Sequence, residues 1–255
     1  ICEKVTPIIK DAKLQDFTNH DIEHSKRVIS KLESLVSMLY EPLGPYSSFI
    51  LLSSAYLHDV GMQYPFSNSI DEIRENHHIF SEEMIKGSIY QRKKYPDLGV
   101  PEEYAPYIAL VSKGHRKVNL MSKEYETVLI CEERVDLRLL SALLRFADEL
   151  DIDWRRVNME RLKIETKMPE DSRIHWWKHY YVQGLIIEKQ QIKVQFRFPK
   201  TSEGKEFPAL IKTYVKKHMK DVYDSLCDTI LYPSGIIIAF PPPLKVYNMP
   251  KESMM

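Results

Sequence analysis

The stretch Ser47-Ser48-Phe49-Ile50-Leu51-Leu52-Ser53-Ser54-Ala55-Tyr56-Leu57-His58-Asp59-Val60-Gly61 decides how this chain is read. Up to Leu57 it is apolar or small, which predicts a buried helix with a serine N-cap. Gly61 stands where a left-handed C-terminal cap favours glycine. His58 and Asp59 therefore fall in the last turn, where the helix dipole favours a cation by roughly 0.3–1 kcal/mol. Adjacent helical residues point about 100° apart, so this imidazole and carboxylate act together only on an object that both can reach. A metal ion is such an object.

Other His and Asp residues lie on apolar stripes. Thr18 and Asp21 form a capping pair for a helix running to about Tyr40, with Val28, Ile29, Leu32, Leu35, Val36 and Leu39 at helical spacing and His24 near the seam. A helix from about Asp71 carries Ile73, His77, Phe80 and Met84 on one stripe, so His77 rather than His78 is the inward residue. Pro101-Glu102-Glu103 suits the first turn of another, in which Tyr104, Ile108, Val111 and His115 recur at the same spacing. Val135 to Leu150 is apolar nearly all round and places Asp148 in line with Leu137, Ser141 and Leu144. Buried imidazoles and carboxylates without partners cost several kcal/mol or shift until neutral. One metal cluster would satisfy His24, His58, Asp59, His77, His115 and Asp148 together.

The ordered set His24-Ser25-x-x-Val28, Leu57-His58-Asp59-Val60-Gly61 and Leu144-Arg145-Phe146-Ala147-Asp148-Glu149-Leu150-Asp151 resembles the HD superfamily of metal-dependent phosphohydrolases over roughly residues 15–157. The resemblance implies a mainly α fold: an HD-type helical bundle with the site at its centre. It implies that His24, His58, Asp59 and Asp148 bind one divalent metal. Members with a second metal, or with catalytic histidines near the first, have two further histidines between the doublet and the last Asp, and His77 and His115 match these. No Gly-Tyr-Pro follows the doublet, which disfavours a cyclic-di-GMP phosphodiesterase.

The implied activity is hydrolysis of a phosphoester or phosphoanhydride, of phosphodiesterase or nucleotidase type, on a nucleotide or nucleotide-derived signal. One or two divalent metals (Mn, Fe, Ni, Co, Zn or, less well, Mg) would polarise a phosphoryl oxygen and activate water. With two, Asp59 is the natural bridge; with one, His77 or His115 reads as a general acid or a charged group beside the phosphate. Candidate substrate contacts are Lys113, Arg116 and Arg145, with Arg145 alternatively pairing with Glu149 at i,i+4. His20, one turn before His24, is a contact to substrate or metal, or else a helix-start hydrogen bond. His78, His175, His179 and His218 read as ordinary surface or interface residues. Two other readings stand beside this one: an HD-type nuclease on single-stranded nucleic acid, and a non-catalytic metal- or nucleotide-binding sensor module.

The 36 basic and 36 acidic side chains give no global field pointing to nucleic acid or membrane. Three scattered cysteines, Cys2, Cys131 and Cys227, suit a reducing cytoplasm, and no apolar run reaches the roughly 20 residues of a membrane span. A start at Ile1 without methionine suggests a piece of a longer, fused protein. After about residue 157 the pattern changes, so the expected domains are a helical metal-binding unit (1–157) and a small α/β appendage (158–255). The appendage comprises a strand from Val157 to Thr166, a hairpin over Tyr180–Glu188 and Ile192–Phe198, a polar loop from Pro199 to Gly204, a helix from Phe207 to Leu231 and a strand at Gly235–Phe240. The cluster Trp176-Trp177-Lys178-His179-Tyr180-Tyr181, near Arg173, is either a stacking platform or a packing contact, and the appendage is a candidate surface for homo-oligomer formation.

Overall fold

Amphipathic spacing becomes helices around one apolar axis. The computed structural model describes residues 1–10, 22–63, 69–157, 176–188, 191–198 and 206–239. Its helices are α1 (Cys2–Lys10), α2 (Ile22–Val36), α3 (Pro45–Leu57), α4 (Ile70–Tyr90), α5 (Ala105–Lys113), α6 (Leu137–Glu149) and α7 (Glu206–Leu226). Two antiparallel hairpins accompany them: β1 (Thr127–Ile130) with β2 (Glu133–Asp136), and β3 (Val182–Glu188) with β4 (Gln191–Phe196). The fold is mainly α.

The hub is α6, which is amphipathic and not apolar all round: Arg138, Arg145, Asp148 and Glu149 are half-buried, and none of its residues is exposed. Leu137, Leu140, Ala142, Leu143, Leu144, Phe146 and Ala147 are buried along it, and it packs against α2, α3, α5 and α7. Each fully buried leucine contributes roughly 1.5–3 kcal/mol. Ser54 Oγ donates to the Ile108 carbonyl (3.1 Å), which ties α3 to α5. At the end of α5, Gly114 lies so close to Ser141 of α6 that a β-carbon would overlap it. The core continues past residue 157: the Phe146 and Tyr223 rings lie 5.4 Å apart, joining α6 to α7. Tyr223 OH donates to the Ile236 carbonyl and accepts from the Ile238 amide, fastening residues 236–238 to the same core.

Several element boundaries differ from expectation, each for a tertiary reason. The α3 helix begins at Pro45, not at a Ser47 cap. Its N-terminal donors are taken by Glu133 of β2, which accepts from Tyr46 N (3.0 Å), Ser47 N (2.8 Å) and Ser47 Oγ (2.6 Å). Gly61 is not left-handed; it lies in a buried 3-10 turn (Val60–Met62), and its role is close approach. A β-carbon there would overlap the His77 carbonyl and the Ser81 amide of α4. The α5 helix starts at Ala105, after a turn in which the Ala105 amide bonds the Pro101 carbonyl. The α6 helix starts at Leu137 because β2 runs through Val135 and Asp136 serves as the N-cap, accepting from Leu139 N (2.9 Å).

In the C-terminal part the β3–β4 hairpin forms as expected, and α7 runs on as a π-helical turn through Cys227–Leu231. Of the last expected strand, the described residues show a parallel bridge between Gln191 and Ala239. Trp176, Lys178 and His179 lie buried on or beside a short helical turn at 176–180, so this cluster packs inward and is not an open stacking platform. Expectations for Thr18, His20, Asp21, Arg173, His175 and residues 158–166 and 199–204 fall outside the described residues. Among the described helices none is long and apolar enough to cross a membrane.

The β1–β2 turn holds Cys131 at φ 46 and Glu132 at φ 71, left-handed values that neither side chain favours. Replacing the pair by Asn-Gly is expected to stabilise the protein by about 0.5–1 kcal/mol in urea denaturation. An unchanged or lowered midpoint would show that the turn carries no such strain.

Candidate metal centre

Four imidazoles from four helices or helix ends meet around one carboxylate. His58 closes α3 and its Nδ1–H donates to the Ala55 carbonyl (3.0 Å). His77 on α4 donates to Arg74 O (2.7 Å), and His115, just past α5, donates to Ser112 O (2.6 Å). In all three the acceptor is the carbonyl three residues earlier, which the local helical turn supplies. His24 on α2 instead donates Nδ1–H to Asp151 (2.7 Å). With each Nδ1 carrying the proton, each Nε2 presents a lone pair.

Those Nε2 atoms face each other in pairs. His24 and His58 are 3.1 Å apart, and His77 and His115 are 3.0 Å apart. Asp59 stands between the pairs. Its Oδ2 lies 3.4 Å from His24 and 3.3 Å from His58, while Oδ1 lies 3.4 Å from His77 and 3.5 Å from His115. Asp148 Oδ1 joins the first pair, 3.3 Å from His24 and 3.8 Å from His58. The two groups His24–His58–Asp59 and Asp59–His77–His115 are each compact enough to hold a metal ion.

The donor set fits divalent cations on physical grounds. Two lone pairs at about 3 Å repel unless something positive lies between them. Ligands about 2.1 Å from one ion stand about 3.0–3.4 Å from each other, close to the separations observed. The histidines are buried, whereas the Asp148 side chain keeps 25% of its exposure, so the open side of the centre is the carboxylate side.

In the metal-free protein a proton takes the place of a cation. Burial and the Arg156 charge push His24 down, but Asp148, Asp151 and Asp59 outweigh them and raise it to about 10. Burial opposes protonation of His58 as well, yet the Asp59 and Asp148 carboxylates raise it. His115 goes the other way: burial first, then the His58 and His77 charges, hold it well below its usual range. Burial alone would raise Asp148, but its hydrogen bond to His24 and the imidazole charges keep it far below the ordinary carboxylate range.

The structure brings together six of the predicted site residues: His24, His58, Asp59, His77, His115 and Asp148. Two of the three predicted cationic contacts have other duties or partners. Lys113 Nζ pairs with Glu82 (3.0 Å) and stands 3.9 Å from Glu124. Arg145 does not pair with Glu149; its Nε donates to Gly114 O (2.9 Å) and Nη2 to Val118 O (3.0 Å). Glu149 takes Lys178 instead, at 3.4 Å. Arg116 is exposed on the loop that Arg145 braces and has no carboxylate within ion-pair distance among the described residues. His20 lies outside the described residues.

Sequence reasoning missed Asp151. It orients His24, and Arg27 Nε holds it at 2.9 Å while Arg156 Nη1 bonds its carbonyl at 3.0 Å. Its signal was present as a second carboxylate three residues after Asp148. Ser81 is a further support: its Oγ donates to His58 O (2.6 Å) and accepts from Gly61 N (2.9 Å), pinning α4 to the doublet.

The sequence matches the HD-CE family over residues 14–224, which takes in every residue of the buried His/Asp cluster, the β3–β4 hairpin and nearly all of α7. The chain belongs to the HD-CE family. Its buried His/Asp cluster is the HD-type arrangement that its sequence resembles. No curated protein matches it.

Two outcomes follow for this HD-CE chain. Asp151→Asn keeps a hydrogen-bond acceptor but removes the charge behind His24, and is expected to weaken metal affinity about 10- to 100-fold by titration calorimetry. Unchanged affinity would remove Asp151 from the centre. Second, His24 is raised above its unfolded value, so its stabilising contribution is complete below about pH 6.5 and lost as pH rises through about 10. The unfolding free energy of chelator-treated protein, read from urea denaturation, is expected to fall between pH 7 and pH 10 by on the order of 1 kcal/mol per pH unit. A flat profile there would contradict it.

Proposed function

We propose that this chain is a metal-dependent phosphohydrolase cleaving a phosphoester or phosphoanhydride bond of a nucleotide or nucleotide-derived signal. The observation that carries the reading is the division of Asp59, with one oxygen toward His24 and His58 and the other toward His77 and His115. His24, His58, Asp59 and Asp148 would hold one divalent cation; Asp59, His77 and His115 would hold a second. A mixed nitrogen and oxygen set suits Mn, Fe, Ni, Co or Zn better than Mg. Bound there, such cations supply Lewis acidity toward a phosphoryl oxygen and toward water.

The chain's own residues do the rest. The Nδ1 bonds to Ala55, Arg74, Ser112 and Asp151 fix all four imidazoles in one tautomer before substrate arrives, so little reorganisation is left for the reaction itself. The buried histidine floor excludes bulk water and leaves approach past Asp148. With a single cation in the His24 half, His77 and His115 face the reacting group directly. His115, held neutral by burial and its neighbours, then offers a lone pair at Nε2 and has no proton there to donate. Arg116 is the exposed cation nearest in sequence to this group and suits a phosphate oxygen.

Elemental analysis of the purified protein, followed by a nucleotide panel with Mn²⁺, tests the reading. Bound metal and release of phosphate or pyrophosphate are expected, and Asp59→Ala should lower turnover at least about a hundredfold. Protein that takes up no divalent metal, or an Asp59→Ala variant with wild-type turnover, would overturn it.

A further inference from the structure

Of the four imidazoles that face Asp59, three lie within a helix or at its cap residue, and His115 does not. It follows Gly114, the cap of α5, in a turn whose own amide bonds are long: His115 N to Ser112 O at 3.3 Å and Arg116 N to Lys113 O at 3.4 Å. Bonds of that length hold a backbone loosely. The ring is fixed relative to the same turn, since Nδ1–H donates to Ser112 O (2.6 Å). Where its Nε2 points relative to Asp59 and His77 therefore depends on what ties the turn to the rest of the bundle.

Arg145 of α6 is that tie. Its Nε donates to Gly114 O (2.9 Å), the carbonyl of the peptide bond leading into His115, and its Nη2 donates to Val118 O (3.0 Å) on the far side of the turn. Both bonds are shorter than the turn's own, and a planar guanidinium with two acceptors fixes direction as well as distance. Gly114 permits the approach, because a β-carbon there would overlap Ser141, one turn before Arg145 on α6. Among the described residues the guanidinium has no carboxylate at ion-pair distance, and burial lowers it only to about 10, so it stays a cation met by carbonyl oxygens. A buried charge without a counter-ion is costly, and an apolar side chain would serve packing alone at least as well. Arg145 also lies one turn before Asp148. One helix thus carries the carboxylate of the His24–His58 half and sets the last imidazole of the other half.

We propose that Arg145 is a positioning residue for His115, holding its Nε2 in register with His77 and with the Asp59 oxygen that the two imidazoles share. The positioning stands on the two hydrogen bonds; its consequence for the reacting group rests on the phosphohydrolase reading. Arg145 acts through His115 and not on a phosphate.

The test uses the full chain loaded with Zn²⁺, reading histidine ring N–H protons by NMR and zinc affinity by titration calorimetry. Arg145→Lys keeps the charge and loses the fork; Arg145→Gln loses the charge and guards against a folding defect from a buried ammonium. In both, exchange of the His115 Nδ1–H with water is expected to rise at least about tenfold, while the His58 and His77 ring protons keep their wild-type rates. Zinc affinity of the His77–His115 half is expected to fall about 10- to 100-fold, with the His24–His58 half unchanged. Wild-type exchange at His115 in both variants would overturn the proposal. So would equal acceleration at all three histidines, which marks a merely structural residue, or an effect in Arg145→Gln alone, which marks a need for charge and not for the fork. A wild-type protein that takes up no zinc would overturn the phosphohydrolase reading, while the ring protons of the metal-free protein would still decide for or against Arg145.

Discussion

Four imidazole lone pairs aimed at the two oxygens of Asp59 are the constraint around which the molecule is arranged. Each Nδ1–H is used elsewhere, so no proton is available between the facing Nε2 atoms of a neutral pair. A buried arrangement of this kind is costly unless positive charge enters it, and in the metal-free protein His24 answers by holding a proton up to about pH 10. The bundle must withstand that cost. It does so by burying α6 on nearly every side and by gathering α2, α3, α4 and α5 so that each delivers one histidine.

Rigidity around the centre comes from contacts that a casual list of ligands would omit. Asp151 sits behind His24 with Arg27 and Arg156, so the charge that orients the imidazole is itself anchored. Ser81 links the His58 carbonyl to the Gly61 amide, and Gly61 allows the doublet to lie against the α4 backbone. Gly114 plays the same part between α5 and α6. These are close approaches, in which the glycine matters for its missing β-carbon and not for backbone freedom.

The positive side chains divide by partner. Lys113 is tied to Glu82, Lys178 to Glu149, and Arg145 to two carbonyls, whereas Arg116 faces outward from the turn that Arg145 braces. A basic residue near a site in sequence is therefore a poor guide to its role, since a nearby carboxylate or carbonyl can take it first. The C-terminal hairpin and helix share the core through Phe146 and Tyr223, and the family match extends through them.

Helical periodicity was enough to set His24, His77, His115 and Asp148 on inward faces, because a 3.6-residue repeat records which side of a helix is buried. The His58-Asp59 doublet and the β3–β4 hairpin were equally legible, being local patterns. What lay beyond reach were pairings between distant segments: Glu133 capping α3, Asp151 orienting His24, Arg145 bracing the loop after α5, and the packing that recruits Gly61. None of these leaves a periodic trace, and each depends on which elements the collapsed core brings within a few ångströms. The sequence by itself determined the helical class and which six imidazole and carboxylate side chains gather in the buried cluster. Only the tertiary structure decided which Asp59 oxygen serves which pair of histidines, because that is set by how four helix ends meet and not by the order in which they occur.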